Sequence, residues 1–163
     1  MKLVYVAMGS NIGDGRKCLL RGIKMLEAFA LGEIRHSSFW NTEPVEMIDQ
    51  FWFTNAVVEF YTDLSPIDLL KSLQMIENNN GRPSNHLRNA SRTLDLDIIS
   101  YGNYVLETDF LELPHPRARQ RLFVLLPLQE LAPEFQFPGD DRSLSDLIQI
   151  APSMKIERLD HLS

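Results

Sequence analysis

The chain has 163 residues and a mass of 18.8 kDa, enough for one domain that hides roughly 70% of the surface its unfolded form exposes. Hydrophobic residues make up 44% and charged residues 23%, with 8 Gly and 9 Pro, which excludes a disordered or collagen-like chain. The formal net charge of −6 and a pI near 5.2 repel polyphosphate strands, so nucleic acid is not the expected partner, although a small anion can bind where Arg residues locally outnumber acids.

The one cysteine, Cys18, permits neither an internal disulfide nor a cysteine zinc cluster and suits a reducing compartment. The apolar runs Leu3–Met8 and Leu122–Leu128 fall far short of the roughly 20 residues of a membrane span. The first runs straight into Gly9-Ser10-Asn11, unlike a signal peptide. A single cytoplasmic domain over residues 1–163 is expected, with no membrane partner and as a monomer.

In chain order, Leu3–Met8 reads as a first strand, followed by the turn-rich stretch 9–15. Residues 16–31 carry Leu19, Leu20, Ile23, Leu26 and Phe29 at helical intervals, closed by Gly32. Residues 33–40 and 51–61 read as strands, the second rich in aromatic and β-branched residues. Ser65-Pro66-Ile67-Asp68 starts a helix, because Ser65 can cap, Pro66 suits the first helical position and Asp68 faces the unpaired amides; that helix runs to about Asn79 with Gly81 as its C-terminal cap. Residues 82–91 form a polar, breaker-rich loop. Leu94–Tyr101 is the next strand, with a hairpin partner at Tyr104–Leu106 across Gly102-Asn103. His115-Pro116 opens a helical stretch that Pro127 bends, and Ser143-Leu144-Ser145-Asp146 starts a last short helix. The order predicts an α+β fold: a ferredoxin-like βαββαβ core, with helices on one face of a mainly antiparallel sheet, plus a C-terminal helical extension.

The segment richest in chemistry is Arg92-Thr93-Leu94-Asp95-Leu96-Asp97-Ile98-Ile99. On a strand, Asp95 and Asp97 share one face about 6 to 7 Å apart, with Leu94, Leu96 and Ile98 opposite. Either this is an acidic face meeting water, or a cation relieves the repulsion; Mg²⁺ fits, because it takes one or two carboxylates and completes its shell with water and phosphate oxygens. Arg82, Arg88 and Arg92 upstream and His115, Arg119 and Arg121 downstream supply charge to neutralise phosphate, a division of labour that recurs in phosphoryl transfer. Gln74 and Glu77 share a helix face, turned either to water or to this site. Phe51, Phe53 and Asn55 share a strand face; they are either core or an aromatic plane with an amide suited to a flat heterocycle, with Phe123 as a second plane.

These residues resemble the 6-hydroxymethyl-7,8-dihydropterin pyrophosphokinase family, which transfers the terminal diphosphate of ATP to the pterin hydroxymethyl oxygen in folate biosynthesis. The resemblance runs from Gly9-Ser10-Asn11 through Phe53–Val58, Gln74–Glu77 and Gly81-Arg82 to His115-Pro116 and Arg121-Leu122-Phe123, and its most specific segment is Arg88–Ile99. It implies that Asp95 and Asp97 bind two Mg²⁺ ions with ATP, and that Gln74, Glu77, Arg92, Ile98, His115 and Arg121 line the nucleotide site. It further implies that the pterin lies between Phe53 and Phe123, with Asn55 on its ring edge and Thr42, Pro44 and Val45 contributing loop contacts. Arg82 and Arg88 would close over ATP as a lid, and Arg82, Arg88, Arg92, Asp95 and Asp97 form the expected catalytic set. The chain departs from the family at Ser84, where many members carry Arg, and at Asn89-Ala90-Ser91 in place of Trp-Gly-Pro; Phe53 and Pro116 stand where Tyr is common. Two other readings accompany this one: a weakened homologue that only binds nucleotide or pterin, and a ferredoxin-like nucleic-acid module whose strand aromatics stack bases.

Overall fold

A computed structural model describes residues 1–11, 14–43, 52–80 and 94–159. The strands are β1 (Lys2–Ser10), β2 (Leu31–His36), β3 (Trp40–Thr42), β4 (Phe53–Thr62), β5 (Asp95–Tyr101), β6 (Leu106–Glu107), β7 (Glu112–Leu113) and β8 (Ile156–Arg158), and the helices α1 (Gly15–Leu26), α2 (Pro66–Asn79), α3 (Leu122–Leu131) and α4 (Leu144–Ile150). The main sheet runs β5-β1-β4-β3-β8, with β2 also on β4, and every pairing is antiparallel. The second half of β4 pairs with β2 and its first half with β3, so the expected continuous strand over 33–40 is two shorter pieces.

Alternation along the strands separates two cores. Val4, Val6 and Met8 of β1, Ala56, Val58 and Phe60 of β4, and Leu96 and Ile98 of β5 pack with the apolar faces of α1 and α2. On the other face, Tyr5, Val57 and Ile99 meet Val124, Leu125 and Leu128 of α3, Leu144 and Leu147 of α4, and Phe137. The sheet is therefore covered by helices on both faces, the tail supplying the second layer. Ile98 and Ile99 face opposite cores by strand alternation, whereas Tyr101, three residues beyond Ile98, returns to the first core because the β1–β5 register shifts between Tyr5 and Val6, the effect of one extra residue in a ladder.

The cap signals of α2 and α4 are satisfied. The Ser65 hydroxyl accepts from the Asp68 N–H at 3.1 Å with Pro66 in the first turn, and Ser143 and Asp146 form a reciprocal capping box. Other expectations are corrected. Helix α1 ends at Leu26, where amides 27–29 bond three residues back; Gly32, at φ +81, instead sits where the β2–β4 register slips between Leu31 and Arg35. The hairpin beyond Gly102 does not extend β5, since Leu106 pairs with Leu113. His115-Pro116 leads into a turn and a short 3₁₀ segment, Ala118–Gln120, and the helix starts only at Leu122. Strand β8 carries no periodicity readable over three residues. Among the described residues no helix is long and apolar enough to cross a membrane.

Candidate active site

On the sheet face that α3 and α4 only partly cover, a cleft of about 670 Å³ opens over the ends of β1, β4 and β5. Its floor is set by strand register: Gly9 pairs with Asn55 on one side and Asp95 on the other, and Ala7 pairs with Asp97. Asp95, Asp97 and Asn55 therefore point from the same face. Leu96, between the two acids, is buried in the opposite core, while Asp95 is half-buried and Asp97 exposed.

Asn55 is buried, and its Nδ2 donates to the Thr42 Oγ1 at 2.9 Å, which fixes the plane of the amide. Gly9 keeps this geometry open, because a Cβ there would stand 3.0 Å from the Asn55 Oδ1. Phe53 and Phe123 line the cleft with them. Arg121, extended at φ −118 and ψ 109, interrupts the chain between the 3₁₀ segment and α3 and lines the same cleft. Its guanidinium lies 5.5 Å from the centre of the Phe123 ring, within cation–π range.

His115 faces this charge cluster from beyond β5. Its N–H donates to the Ile99 carbonyl at 2.8 Å, and its ring Nδ1 accepts from the Arg117 N–H at 3.2 Å. Burial lowers its pKa from 6.5, with Arg121 and Arg117 adding to the effect and Asp97 and Glu112 opposing it. The ring is therefore neutral near pH 7 and carries its proton on Nε2.

Thr42, Phe53, Asn55, Asp95, Asp97, Arg121 and Phe123 thus come together in the cleft, with His115 electrostatically in reach of Asp97 and Arg121. Gln74, Glu77 and Ile98 do not line it. Gln74 is exposed on α2; the Ile98 side chain is 3% exposed in the core beneath. Glu77 reaches the outer edge of β5, where its Oε2 accepts from the Leu96 N–H at 2.7 Å, satisfying an edge amide directly behind the acidic pair. Arg119 is turned away, its Nε 3.0 Å from Asp140. Pro44, Val45, Phe51, Arg82, Arg88 and Arg92 lie outside the described residues. Sequence reasoning missed Gly9, Glu43 and the C-terminal segment Pro152-Ser153-Met154, all of which border the cleft. Only Gly9 carried a signal, in the family-like Gly9-Ser10-Asn11 segment; the sequence places it in the turn after the first strand, whereas β1 runs on to Ser10.

Comparison with known proteins gives this geometry a context. The profile of the 7,8-dihydro-6-hydroxymethylpterin-pyrophosphokinase family matches residues 5–133. A 2-amino-4-hydroxy-6-hydroxymethyldihydropteridine pyrophosphokinase from Pseudomonas aeruginosa is 40% identical over 96% of this chain and 96% of its own length. A folic acid synthesis protein from Dictyostelium discoideum is 42% identical over 83% of this chain, which spans only 20% of that larger protein. Among solved structures, a Plasmodium falciparum HPPK-DHPS shares the fold with a TM-score of 0.74 at 15% identity, over 91% of this chain and 44% of that one. With a matching profile over most of its length and a near full-length relative of 40% identity, the chain belongs to the 7,8-dihydro-6-hydroxymethylpterin-pyrophosphokinase family.

Proposed function

We propose that the protein transfers the terminal diphosphate of ATP to the hydroxymethyl oxygen of 6-hydroxymethyl-7,8-dihydropterin, releasing AMP and the pterin diphosphate, as a step of folate synthesis. The observation that carries this reading is one cleft in which two strand carboxylates and a clamped amide share a sheet face and the aromatic residues Phe53 and Phe123 also line the walls.

The pterin ring lies between Phe53 and Phe123. The Asn55 amide, held through Nδ2 by Thr42, presents Oδ1 to a ring N–H, and Pro44 and Val45, outside the described residues, are assigned to the same ligand. A flat heterocycle gains here from stacking, and from hydrogen bonds that an amide fixed in advance makes without losing rotamer freedom.

Asp95 and Asp97 fit Mg²⁺, since two carboxylates about 6 to 7 Å apart on one strand face are hard oxygen donors of the number this ion takes from protein beside phosphates. Two ions are expected with ATP; when bound they neutralise phosphate charge. Arg121 adds charge between ring and phosphates, and neutral His115 offers Nε2–H to a phosphate oxygen. Arg82, Arg88 and Arg92, outside the described residues, supply further cationic charge for the phosphates. Glu77 and Ile98 at β5 and Gln74 on the exposed face of α2 are assigned to the nucleotide, Ile98 through its main chain because its side chain is buried.

In-line attack by the hydroxymethyl oxygen on the β-phosphorus forms one P–O bond as the bond to AMP breaks, and the hydroxyl proton leaves to solvent or to a phosphate oxygen. Positioning and charge supply most of the acceleration in such transfers. The strand order β5-β1-β4, with β2 and β3 beyond, supports a ferredoxin-like core, and a cytoplasmic monomer completes the proposal.

Ser84 and Asn89-Ala90-Ser91 favour a second reading, a homologue that binds but turns over slowly. Incubating the purified protein with Mg-ATP and reduced hydroxymethylpterin separates the two: AMP formed only when pterin is present supports the transferase. ADP as the product, or no turnover despite binding of both ligands, refutes it.

A further inference from the structure

The C-terminal segment reaches the cleft without joining either hydrophobic core. Strand β8 continues beside β3 in the register Thr42↔Ile156, so Glu43 and Lys155 stand opposite each other. The Glu43 N–H donates to the Lys155 carbonyl at 3.1 Å, as a ladder continues. The returning bond departs from the ladder: the Lys155 N–H donates at 2.8 Å to the Glu43 side-chain Oε1. A carboxylate thus takes the place of a backbone carbonyl, which gives a stronger, charge-assisted hydrogen bond. It acts at the point where the chain leaves the strand and Pro152-Ser153-Met154 becomes a wall of the cleft. Pro152 and Ser153 are exposed and Met154 is half-buried, and none of the three is a member of the two apolar clusters. The clamp and the short β8 ladder therefore hold this wall in place.

We infer that residues 152–154 form a specificity wall against the heterocyclic ligand, with Met154 as its contact, and that Glu43 is the positioning residue that holds the wall in place. This rests on the pterin occupying the cleft as proposed above. An unbranched thioether adapts to a ring edge at low cost, but only if the main chain carrying it is fixed. Without the Glu43 carboxylate, the strap must be ordered when the ligand binds, and that ordering is charged to affinity.

The test uses Glu43→Ala, Glu43→Gln, Met154→Ala and the Glu43→Ala/Met154→Ala double variant of the full chain, with separate calorimetric titrations of reduced hydroxymethylpterin and Mg-ATP. Loss of one charge-assisted bond predicts roughly tenfold weaker pterin binding for Glu43→Ala, about 1.4 kcal/mol, with Mg-ATP binding unchanged. Glu43→Gln, whose amide oxygen can accept from the same N–H, is expected to recover most of that loss. The double variant is expected to be little worse than either single one, because both remove the same wall. Pterin affinity unchanged in Glu43→Ala overturns the inference and leaves the proposed function standing, as do fully additive losses or equal losses for both ligands. A wild-type protein that takes up no pterin overturns both.

Discussion

Gly9→Ala tests the floor of the cleft with a single methyl group. Two effects oppose each other in stability: replacing a strand glycine lowers the entropy of the unfolded chain and gains about 0.5–1 kcal/mol, while overpacking a filled site costs about 1–3 kcal/mol. The new Cβ would lie 3.0 Å from the Asn55 Oδ1, too close to stay, so the amide retreats by a few tenths of an ångström. Thr42 holds the other end of that amide at 2.9 Å and is itself 2% exposed, so the retreat strains a buried hydrogen bond worth about 1 kcal/mol. The net cost in stability is therefore small, about 0–2.5 kcal/mol, and within reach of urea denaturation. Binding suffers more, because the displaced Oδ1 is the proposed ring acceptor: reduced pterin affinity is expected to fall by about 10- to 100-fold while Mg-ATP affinity stays within about twofold. Calorimetry on each ligand separately, beside the urea curve, reads both quantities. Wild-type pterin affinity in a folded Gly9→Ala protein would refute the reasoning, because it would mean that Asn55 does not touch the ligand.

Three further outcomes are expected. Asp97→Asn, at an exposed position, changes stability by no more than about 0.5 kcal/mol yet lowers turnover by at least about 100-fold; near wild-type rates at limiting Mg²⁺ exclude the metal role. Glu77→Ala leaves the Leu96 amide without its 2.7 Å acceptor and costs about 1–3 kcal/mol, while Glu77→Gln keeps an acceptor and loses much less, so equal losses in urea midpoint contradict this account of the β5 edge. Asp140 is held below its ordinary 3.8 by hydrogen bonds from Arg142, with Arg119 contributing charge. As pH falls, the unfolded chain takes up this proton first, so the stabilisation is complete above about pH 4, erodes as pH drops further, and is absent from Asp140→Asn. Thermal melts from pH 5 to 2 whose acid slopes are equal in the two proteins exclude this contribution.

Much of the site was legible along the chain because it rests on local rules. The alternation of Asp95 and Asp97 with Leu94, Leu96 and Ile98 gives the shared acidic face directly, and the burial of Leu96 and Ile98 matches it. The caps at Ser65 and Ser143 act within three residues of themselves, so their sequence signals were enough. Phe53 and Asn55 share a face for the same period-of-two reason, though strand alternation alone does not say whether that face is core or cleft.

What a local pattern does not hold is which faces meet. That the tail helices cover the second sheet face, that Arg121 joins the cleft while Arg119 turns to Asp140 at 3.0 Å, and that Glu43 meets a backbone amide 112 residues away all depend on long-range packing. Short elements fare worst, because three residues such as Ile156–Arg158 carry no periodicity and pair only where a preformed edge offers free hydrogen-bonding groups. Side-chain types and strand alternation are local properties, so the chemistry this chain carries can be read residue by residue. Which of those groups share one cleft follows from register and layer packing, which are settled by burial summed over the whole fold.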